Sequence, residues 1–175
     1  MERIKKLIRN YPDYPKKGIL FMDVLPILRH PKEFNELISL MGESEIINKS
    51  DAIIAIDSRG FIFGSALSLL KSKPMVVARK PGKLPGELLS QTYDLEYGKS
   101  SLSIQKESVK DYKTFVIIDD LLATGGTAMC VYKMLKSLNK EILGLSVVIE
   151  LKDLNSRKKM PFSINSQIQY WSNLD

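Results

Sequence analysis

The stretch that decides the fold runs from Val116 to Ala128 and reads VIIDDLLATGGTA. It begins with an apolar, β-branched run, which is typical of a strand that is buried on both faces. Two acidic residues, Asp119 and Asp120, follow at the end of this strand, and a loop rich in Thr and Gly comes next. The residues from Met129 to Leu135 then have the pattern of a helix. Because open α/β sheets bind ligands beyond the carboxyl end of a strand, at the start of the next helix, the stretch predicts a ligand site.

The loop after the acid pair has the chemistry of a phosphate site. Its residues are Ala123, Thr124, Gly125, Gly126 and Thr127. The two glycines let the backbone approach a ligand and leave N–H groups accessible, while the threonines add hydroxyl donors. The following helix presents the positive end of its dipole. The two carboxylates cannot bind that phosphate, but they can accept hydrogen bonds from vicinal sugar hydroxyls. We therefore predict a ribose 5-phosphate site, with an ordinary strand–loop–helix turn as the alternative interpretation.

A second strand, from Asp51 to Ile56, ends in another polar loop. The sequence DSRG at positions 57–60 follows and leads into an apolar helix from Phe61 to Leu70. Parallel strands have their carboxyl ends at the same edge of a sheet, so we expect this loop to face the same cleft as the first. Ser58 and Arg59, with free N–H groups beside them, suit a second anion such as pyrophosphate. Capping of the helix by this loop is the alternative interpretation.

Composition indicates a globular protein with a hydrophobic core. The chain has 175 residues, of which 44% are hydrophobic, and a formal net charge of +6, and we expect a single domain over residues 1–175. The charge suits a polyanionic small substrate. The sequence has no basic run with interleaved aromatic residues, so nucleic-acid binding is not predicted. The single cysteine favours a cytoplasmic location, and no apolar run is long enough to predict a membrane span. One His and one Cys leave no transition-metal cluster to predict.

Two further segments admit more than one interpretation. The apolar cluster between Lys17 and Pro26 has the periodicity of a core strand, but Phe21 also has the chemistry of a platform for a flat heterocycle. The sequence RKPGKLPG at positions 79–86 is too rich in Pro and Gly for regular structure. It fits a solvated surface loop, or a mobile basic segment that closes over a diphosphate. The strands predicted from Leu88 to Leu95 and from Ser101 to Gln105 suggest a hairpin.

Strands that alternate with helices predict an α/β protein with a doubly wound, mainly parallel sheet. Several motifs, in order along the chain, resemble the adenine phosphoribosyltransferase family of type I phosphoribosyltransferases. These motifs are GILFMD at 18–23, DSRGF at 57–61, KLPG at 83–86, LEYGK at 95–99 and the stretch from Val116 to Ala128. The resemblance implies a small N-terminal hood, mainly residues 1–30, and a flexible β-hairpin loop at about 79–106. It also implies transfer of phosphoribose from phosphoribosyl pyrophosphate (PRPP) to adenine, with Mg²⁺ bound mainly through PRPP, in a homodimer without nucleic acid or membrane partners.

The resemblance assigns a role to each site residue. It implies that the PRPP phosphate and ribose are bound by Asp119, Asp120, Ala123, Thr124, Gly125, Gly126 and Thr127. It implies that the pyrophosphate is bound by Ser58, Arg59, Arg79 and Lys83, and the base and sugar by Leu20, Phe21, Met22 and Tyr97. Glu96 would be the catalytic acid/base. Two positions depart from the family pattern: Met22 stands where we expect a basic residue, and Pro81 where the family has an arginine or similar residue.

Two other functions stay open at this point. A 6-oxopurine phosphoribosyltransferase is one alternative, since Lys152 lies where such enzymes commonly place a lysine near the exocyclic oxygen. A non-catalytic regulator that senses PRPP is the other. A regulator of this kind needs an additional DNA-binding segment or basic face. The complete loop with Glu96 also favours catalysis over regulation.

Overall fold

A parallel sheet with helices on both faces forms the centre of the structure, a computed structural model that describes residues 1–95 and 98–170. The strands are β1 (Arg9–Tyr11), β2 (Phe21–Asp23), β3 (Ala52–Ile56), β4 (Met75–Ala78), β5 (Leu88–Leu95), β6 (Gly98–Gln105), β7 (Thr114–Leu122), β8 (Glu141–Leu151) and β9 (Ser163–Tyr170). The helices are α1 (Glu2–Leu7), α2 (Pro31–Gly42), α3 (Glu45–Lys49), α4 (Gly60–Lys71), α5 (Lys106–Val109) and α6 (Gly126–Ser137). Short 3₁₀ turns span Leu25–Arg29, Lys152–Leu154 and Ser156–Lys159.

The central sheet has five strands in the order β4-β3-β7-β8-β9, and each neighbouring pair is parallel. From β3 the chain passes through α4 to β4 at one edge, and it then returns to β7 on the other side of β3. The direction of the strand order therefore reverses between β3 and β7. Open α/β sheets bind their ligands at such a reversal, beyond the carboxyl ends of the strands. This topology confirms the predicted doubly wound α/β fold.

Strand β7 is apolar on both faces because helices cover both sides of the sheet. Phe115 and Ile117 belong to a core that includes residues of α6, whereas Val116 and Ile118 belong to a second core with residues of α2 and α4. All four side chains are fully buried. Both cores draw on alternate positions of one strand, which explains why the sequence shows a continuous apolar run instead of an alternating one.

The acid pair lies inside β7 and not after it, which corrects the sequence prediction. Pairing between β3 and β7 stops at Ile118, but β8 continues to pair with β7 from Asp119 to Leu122. The long neighbouring strand β8 therefore extends β7 past the apolar run. The sequence does not predict Asp119 and Asp120 as strand residues, because the apolar pattern that indicates a buried strand ends at Ile118.

The N-terminal segment also differs from its prediction. The two prolines at positions 12 and 15 indicate a loop over residues 10–15. In the structure Arg9–Tyr11 forms β1, which pairs in antiparallel fashion with β2. Within β2 the side chains alternate, so Met22 is fully buried while Phe21 is half-buried. A three-residue strand pair leaves too short a pattern to detect in the sequence.

The segment between β4 and β7 forms the predicted hairpin. Strands β5 and β6 pair from Leu88 with Gln105 to Leu95 with Gly98. The hairpin packs on α6, where the Cys130 thiol donates a hydrogen bond of 3.3 Å to the carbonyl oxygen of Gln91. Over residues 1–95 and 98–170, no helix has the length and apolar character needed to cross a bilayer.

Candidate active site

A cavity of about 510 Å³ lies at the carboxyl edge of the sheet, between the ends of β3 and β7. Many of its lining residues come from the two predicted loops: Asp57, Ser58, Arg59, Asp119, Asp120, Ala123, Thr124, Gly125 and Thr127. The N-terminal segment contributes Pro15, Lys16 and Ile19, and the hairpin contributes Tyr93. The structure thus brings both polar loops to one cavity, because they end adjacent parallel strands.

The acid pair lies at the polar end of β7, where Asp120 is buried and Asp119 is half-buried. Asp120 is only 4% exposed, and its backbone N–H donates a hydrogen bond of 2.9 Å to Oδ1 of Asp119. Burial raises the pKa of the Asp119 carboxyl well above its ordinary value, and the neighbouring Asp120 carboxylate raises it further. Burial also raises the pKa of Asp120, although the Arg59 guanidinium opposes that shift. The charge state of the pair therefore depends on cations close to it.

Arg59 supplies the nearest cation to this pair. Its Nε lies 2.9 Å from Oδ2 of Asp120. Its Nη1 donates a hydrogen bond of 3.5 Å to the carbonyl oxygen of Met22, and its guanidinium lies 5.1 Å from the centroid of the Phe21 ring. The loop after β3 and the acid pair of β7 are thus joined by a partly buried ion pair.

Close packing fixes the start of α4 against the acid pair. Gly60 opens this helix, and a Cβ atom added there would lie 2.8 Å from the carbonyl oxygen of Ile118 and 3.1 Å from Oδ1 of Asp119. Both distances are shorter than an ordinary van der Waals contact. Only glycine therefore allows the two strand ends to approach as closely as they do.

The loop between β7 and α6 has the geometry of an anion site. Gly125 precedes the helix with a φ of 83°, and Gly126 is the first helical residue. The first N–H groups of a helix have no partner within it, so those of α6 are oriented to bind a negatively charged group. This arrangement requires glycine at position 125, because positive φ is unfavourable for other residues.

The predicted phosphate-binding loop, residues 123–127, is supported by the short turn Ser156–Lys159 and by Met160, which do not line the cavity. The Ser156 hydroxyl donates a hydrogen bond to the carbonyl oxygen of Ala123. A Cβ atom on Gly125 would collide with Cε of Met160. Arg157 anchors the same segment, since its Nε and Nη2 each donate a hydrogen bond of 2.7 Å to the buried Glu150 carboxylate. These contacts hold the loop in place from the side opposite the cavity.

The predicted pyrophosphate cations Arg79 and Lys83 lie near the cavity but do not line it. Nε of Arg79 lies 3.3 Å from Oδ2 of Asp57, and its guanidinium lies 5.7 Å from the Phe61 ring centroid. Its Nη1 donates a hydrogen bond of 3.4 Å to the carbonyl oxygen of Lys83, whose side chain is exposed. Arg79 is therefore held at the rim through Asp57, which does line the cavity.

The predicted base-binding residues Leu20, Phe21 and Met22 are not among the cavity-lining residues. Met22 is fully buried in the core, and Phe21 contacts Arg59 on one side and the edge of Tyr14, 5.2 Å away between ring centroids. The lining residues Pro15, Lys16, Ile19 and Tyr93 were missed by sequence reasoning. No periodic signal marks them, because their positions follow from how the N-terminal segment and the hairpin pack against the sheet.

Glu96 and Tyr97 lie outside the residues that the structure describes. Within the described residues there is no group of three or more His, Cys, Asp or Glu side chains placed to hold a metal ion.

Comparison with known proteins places these features in context. The family model described as "Phosphoribosyl transferase domain" matches residues 24–173. A curated adenine phosphoribosyltransferase of Prochlorococcus marinus (strain MIT 9211) is 60% identical over 165 residues, which cover 94% of this chain and 96% of that protein. A curated adenine phosphoribosyltransferase of Trichlorobacter lovleyi is 42% identical over 161 residues, covering 92% of this chain and 94% of that protein.

Two solved structures are similar over nearly the whole chain. The crystal structure of adenine phosphoribosyltransferase from Thermoanaerobacter pseudethanolicus superposes with a TM-score of 0.91 at 43% identity, covering 97% of this chain and 99% of that chain. The enzyme from Saccharomyces cerevisiae, solved in complex with an imino-altritol bisphosphate and adenine, gives a TM-score of 0.85 at 36% identity, with coverage of 95% and 97%.

Proposed function

The chain belongs to the phosphoribosyl transferase family, among the adenine phosphoribosyltransferases, and we propose that it transfers the 5-phosphoribosyl group of PRPP to adenine, giving AMP and pyrophosphate. One observation carries this proposal: the ends of β3 and β7 line a single cavity, and the acid pair of β7 is part of its lining. A phosphate-binding loop, a pair of hydroxyl acceptors and a second polar loop are thus available to the two ends of one activated sugar.

PRPP fits this cavity in one orientation. The 5-phosphate would bind at the start of α6, where helix N–H groups and the hydroxyls of Thr124 and Thr127 are available. The ribose hydroxyls would donate hydrogen bonds to the carboxylates of Asp119 and Asp120. The pyrophosphate would then lie toward Ser58 and Arg59 in the loop after β3. The anomeric carbon remains between these groups and open to the base.

The reaction breaks the bond between the anomeric carbon and pyrophosphate while a ring nitrogen of adenine forms a new bond to that carbon. Positive charge develops on the ribose ring, and the neighbouring acid pair would stabilise it. Arg59, together with Arg79 and Lys83, would stabilise the departing pyrophosphate. Arg79 must first leave its contact with Asp57 to do so. Glu96 would accept the proton that adenine loses.

Magnesium fits this site as a companion of the substrate. Mg²⁺ usually keeps several waters and binds through substrate phosphates and one or two carboxylates, and not through a protein cage. The carboxylates that line the cavity would supply one or two such ligands. When bound, the ion would neutralise charge on the pyrophosphate.

We also propose a homodimer in the cytoplasm. Lys83 is exposed and outside the cavity of its own chain, which leaves it available to a neighbouring site. Cys130 is a free, buried thiol, which agrees with a reducing compartment. Sedimentation velocity would test the dimer directly, because a monomer at micromolar concentration contradicts it.

An assay with a panel of purine bases tests the proposed activity. Adenine with PRPP and Mg²⁺ should give AMP and pyrophosphate in equal amounts, and a chelator should stop the reaction. Hypoxanthine, guanine and xanthine should not react, because Lys152 is exposed and is not among the residues that line the cavity. Turnover of a 6-oxopurine in place of adenine would contradict the proposal. PRPP binding in calorimetry without turnover of any base would favour the regulator.

A further inference from the structure

Arg59 joins three segments that are far apart in the sequence. It belongs to the loop after β3, it pairs with Asp120 at the end of β7 over 2.9 Å, and it reaches β2 through the carbonyl oxygen of Met22 at 3.5 Å. Its guanidinium also lies 5.1 Å from the centroid of the Phe21 ring. One side chain therefore connects the expected pyrophosphate, ribose and base regions of the site.

The ion pair between Arg59 and Asp120 compensates a buried negative charge. Asp120 is 4% exposed, and its Oδ2 accepts no hydrogen bond of good geometry from the part of the chain that the structure describes. The ion pair with Arg59 is thus the compensation for that oxygen. Removing one partner of a buried ion pair leaves the other charge uncompensated, so the carboxylate of Asp120 would not keep its position and ionisation.

Arg59 is the cation that lies beside the Phe21 ring. The Met22 side chain is fully buried in the core, so a side chain at this position in β2 points away from the cavity. The cation beside the aromatic ring comes instead from Arg59. A guanidinium suits this double task, because its flat face stacks on an aromatic ring while its edge binds a carboxylate.

We propose that Arg59 is a positioning residue that holds the acid pair and the Phe21 ring in fixed relation to each other. It thereby supports the ribose and the base in addition to the pyrophosphate. This inference rests on the proposed function. The two roles of Arg59 can be separated with AMP, which contains the base, the ribose and the 5-phosphate but no pyrophosphate.

The experiment measures AMP affinity by titration calorimetry for the wild-type protein, Arg59→Gln and Arg59→Lys. Arg79→Gln is the matched control, since Arg79 also pairs with a loop carboxylate but contacts neither Asp120 nor Phe21. We expect Arg59→Gln to weaken AMP binding about tenfold, as for the loss of one charged contact. Arg59→Lys should give an intermediate affinity, because it keeps the charge without the planar group. Arg79→Gln should stay within about twofold of wild type.

Steady-state kinetics supply an independent measurement. Arg59→Gln should raise KM for both adenine and PRPP, whereas Arg79→Gln should raise KM for PRPP alone. Equal AMP affinity in Arg59→Gln and wild type would overturn the inference. Equal losses of AMP affinity in Arg59→Gln and Arg79→Gln would also overturn it. Either result would leave the proposed function intact. If Arg59→Gln does not fold, wild-type AMP affinity in Arg59→Lys overturns it. A wild-type protein that binds no AMP would overturn the proposed function itself.

Discussion

Replacing Gly60 by alanine should test whether the spacing between the two strand ends controls activity. The added Cβ would lie 2.8 Å from the carbonyl oxygen of Ile118, so the start of α4 and β7 must separate by 0.6 Å to reach an ordinary contact of 3.4 Å. Overpacking of this kind costs about 1–3 kcal/mol, and the better helix propensity of alanine returns at most about 1 kcal/mol. Asp119 follows Ile118 directly, so the same displacement moves the acid pair relative to Arg59.

The expected loss of activity exceeds the loss of stability. A misplacement of about 1 Å costs up to about 100-fold in rate, so we expect Gly60→Ala to lower kcat/KM by about 10- to 100-fold. Phosphoribosyl transfer to adenine is measured at 25 °C, and thermal denaturation is measured in parallel. For a chain of this size, each 1 kcal/mol of destabilisation lowers the midpoint by about 2–4 °C.

Gly64→Ala is the matched control for this prediction. It lies one helical turn further along α4, where a Cβ would lie 2.6 Å from Cβ of the buried Ala55. The control should lose comparable stability but keep kcat/KM within about threefold, since its clash is with Ala55, which does not line the cavity. Wild-type kcat/KM in Gly60→Ala, or an equal loss of kcat/KM in Gly64→Ala, would refute the reasoning.

Three further predictions concern other parts of the site and its support. Glu96→Gln should lower kcat far more than it raises either KM, because a proton acceptor acts in the transition state, and unchanged turnover would remove Glu96 from the mechanism. Ser156→Ala should lower the free energy of unfolding, measured by urea denaturation, by about 1 kcal/mol and raise KM for PRPP several-fold, since the carbonyl oxygen of Ala123 loses its donor. Ser137→Ala is the control. It removes a hydroxyl that donates to the carbonyl oxygen of Met134 at the far end of α6, and it should leave KM unchanged. Burial acts to raise the pKa of Glu150, but hydrogen bonds from Arg157 and Ser166 outweigh it and hold the pKa below its ordinary value of 4.5. The resulting stabilisation is complete above that value and is lost as pH falls through the lowered pKa, so Glu150→Gln should lose less stability than wild type between pH 5 and pH 3, and parallel losses would contradict this.

The two strand ends could be predicted from sequence because their signals are local. An apolar run, a polar loop and a helix follow one another without interruption from β3 into α4 and from β7 into α6. The parallel arrangement of neighbouring strands then brings the two loops together. Local chemistry and one topological rule were therefore sufficient to predict that both loops line one cavity.

The opposite side of the cavity depends on tertiary packing that leaves no local pattern. Lys16 and Ile19 reach the cavity through an irregular segment that follows β1, and Tyr93 reaches it because the hairpin packs on α6. The hydrogen bond from Ser156 ends on a backbone carbonyl, which any residue type supplies. At Met22, strand alternation determines that the side chain enters the core while the carbonyl oxygen meets Arg59.

The support of the phosphate-binding loop by Ser156 and Met160 has a consequence for biosynthesis. Both strand ends leave the ribosome well before these two residues, since translation proceeds from the N-terminus. A nascent chain that stops short of Met160 thus has its acid pair and glycine loop but lacks the contacts to Ala123 and Gly125. The loop between β7 and α6 therefore gains its supporting contacts only after residues 156–160 have been synthesised, later than the two strands whose ends form the cavity.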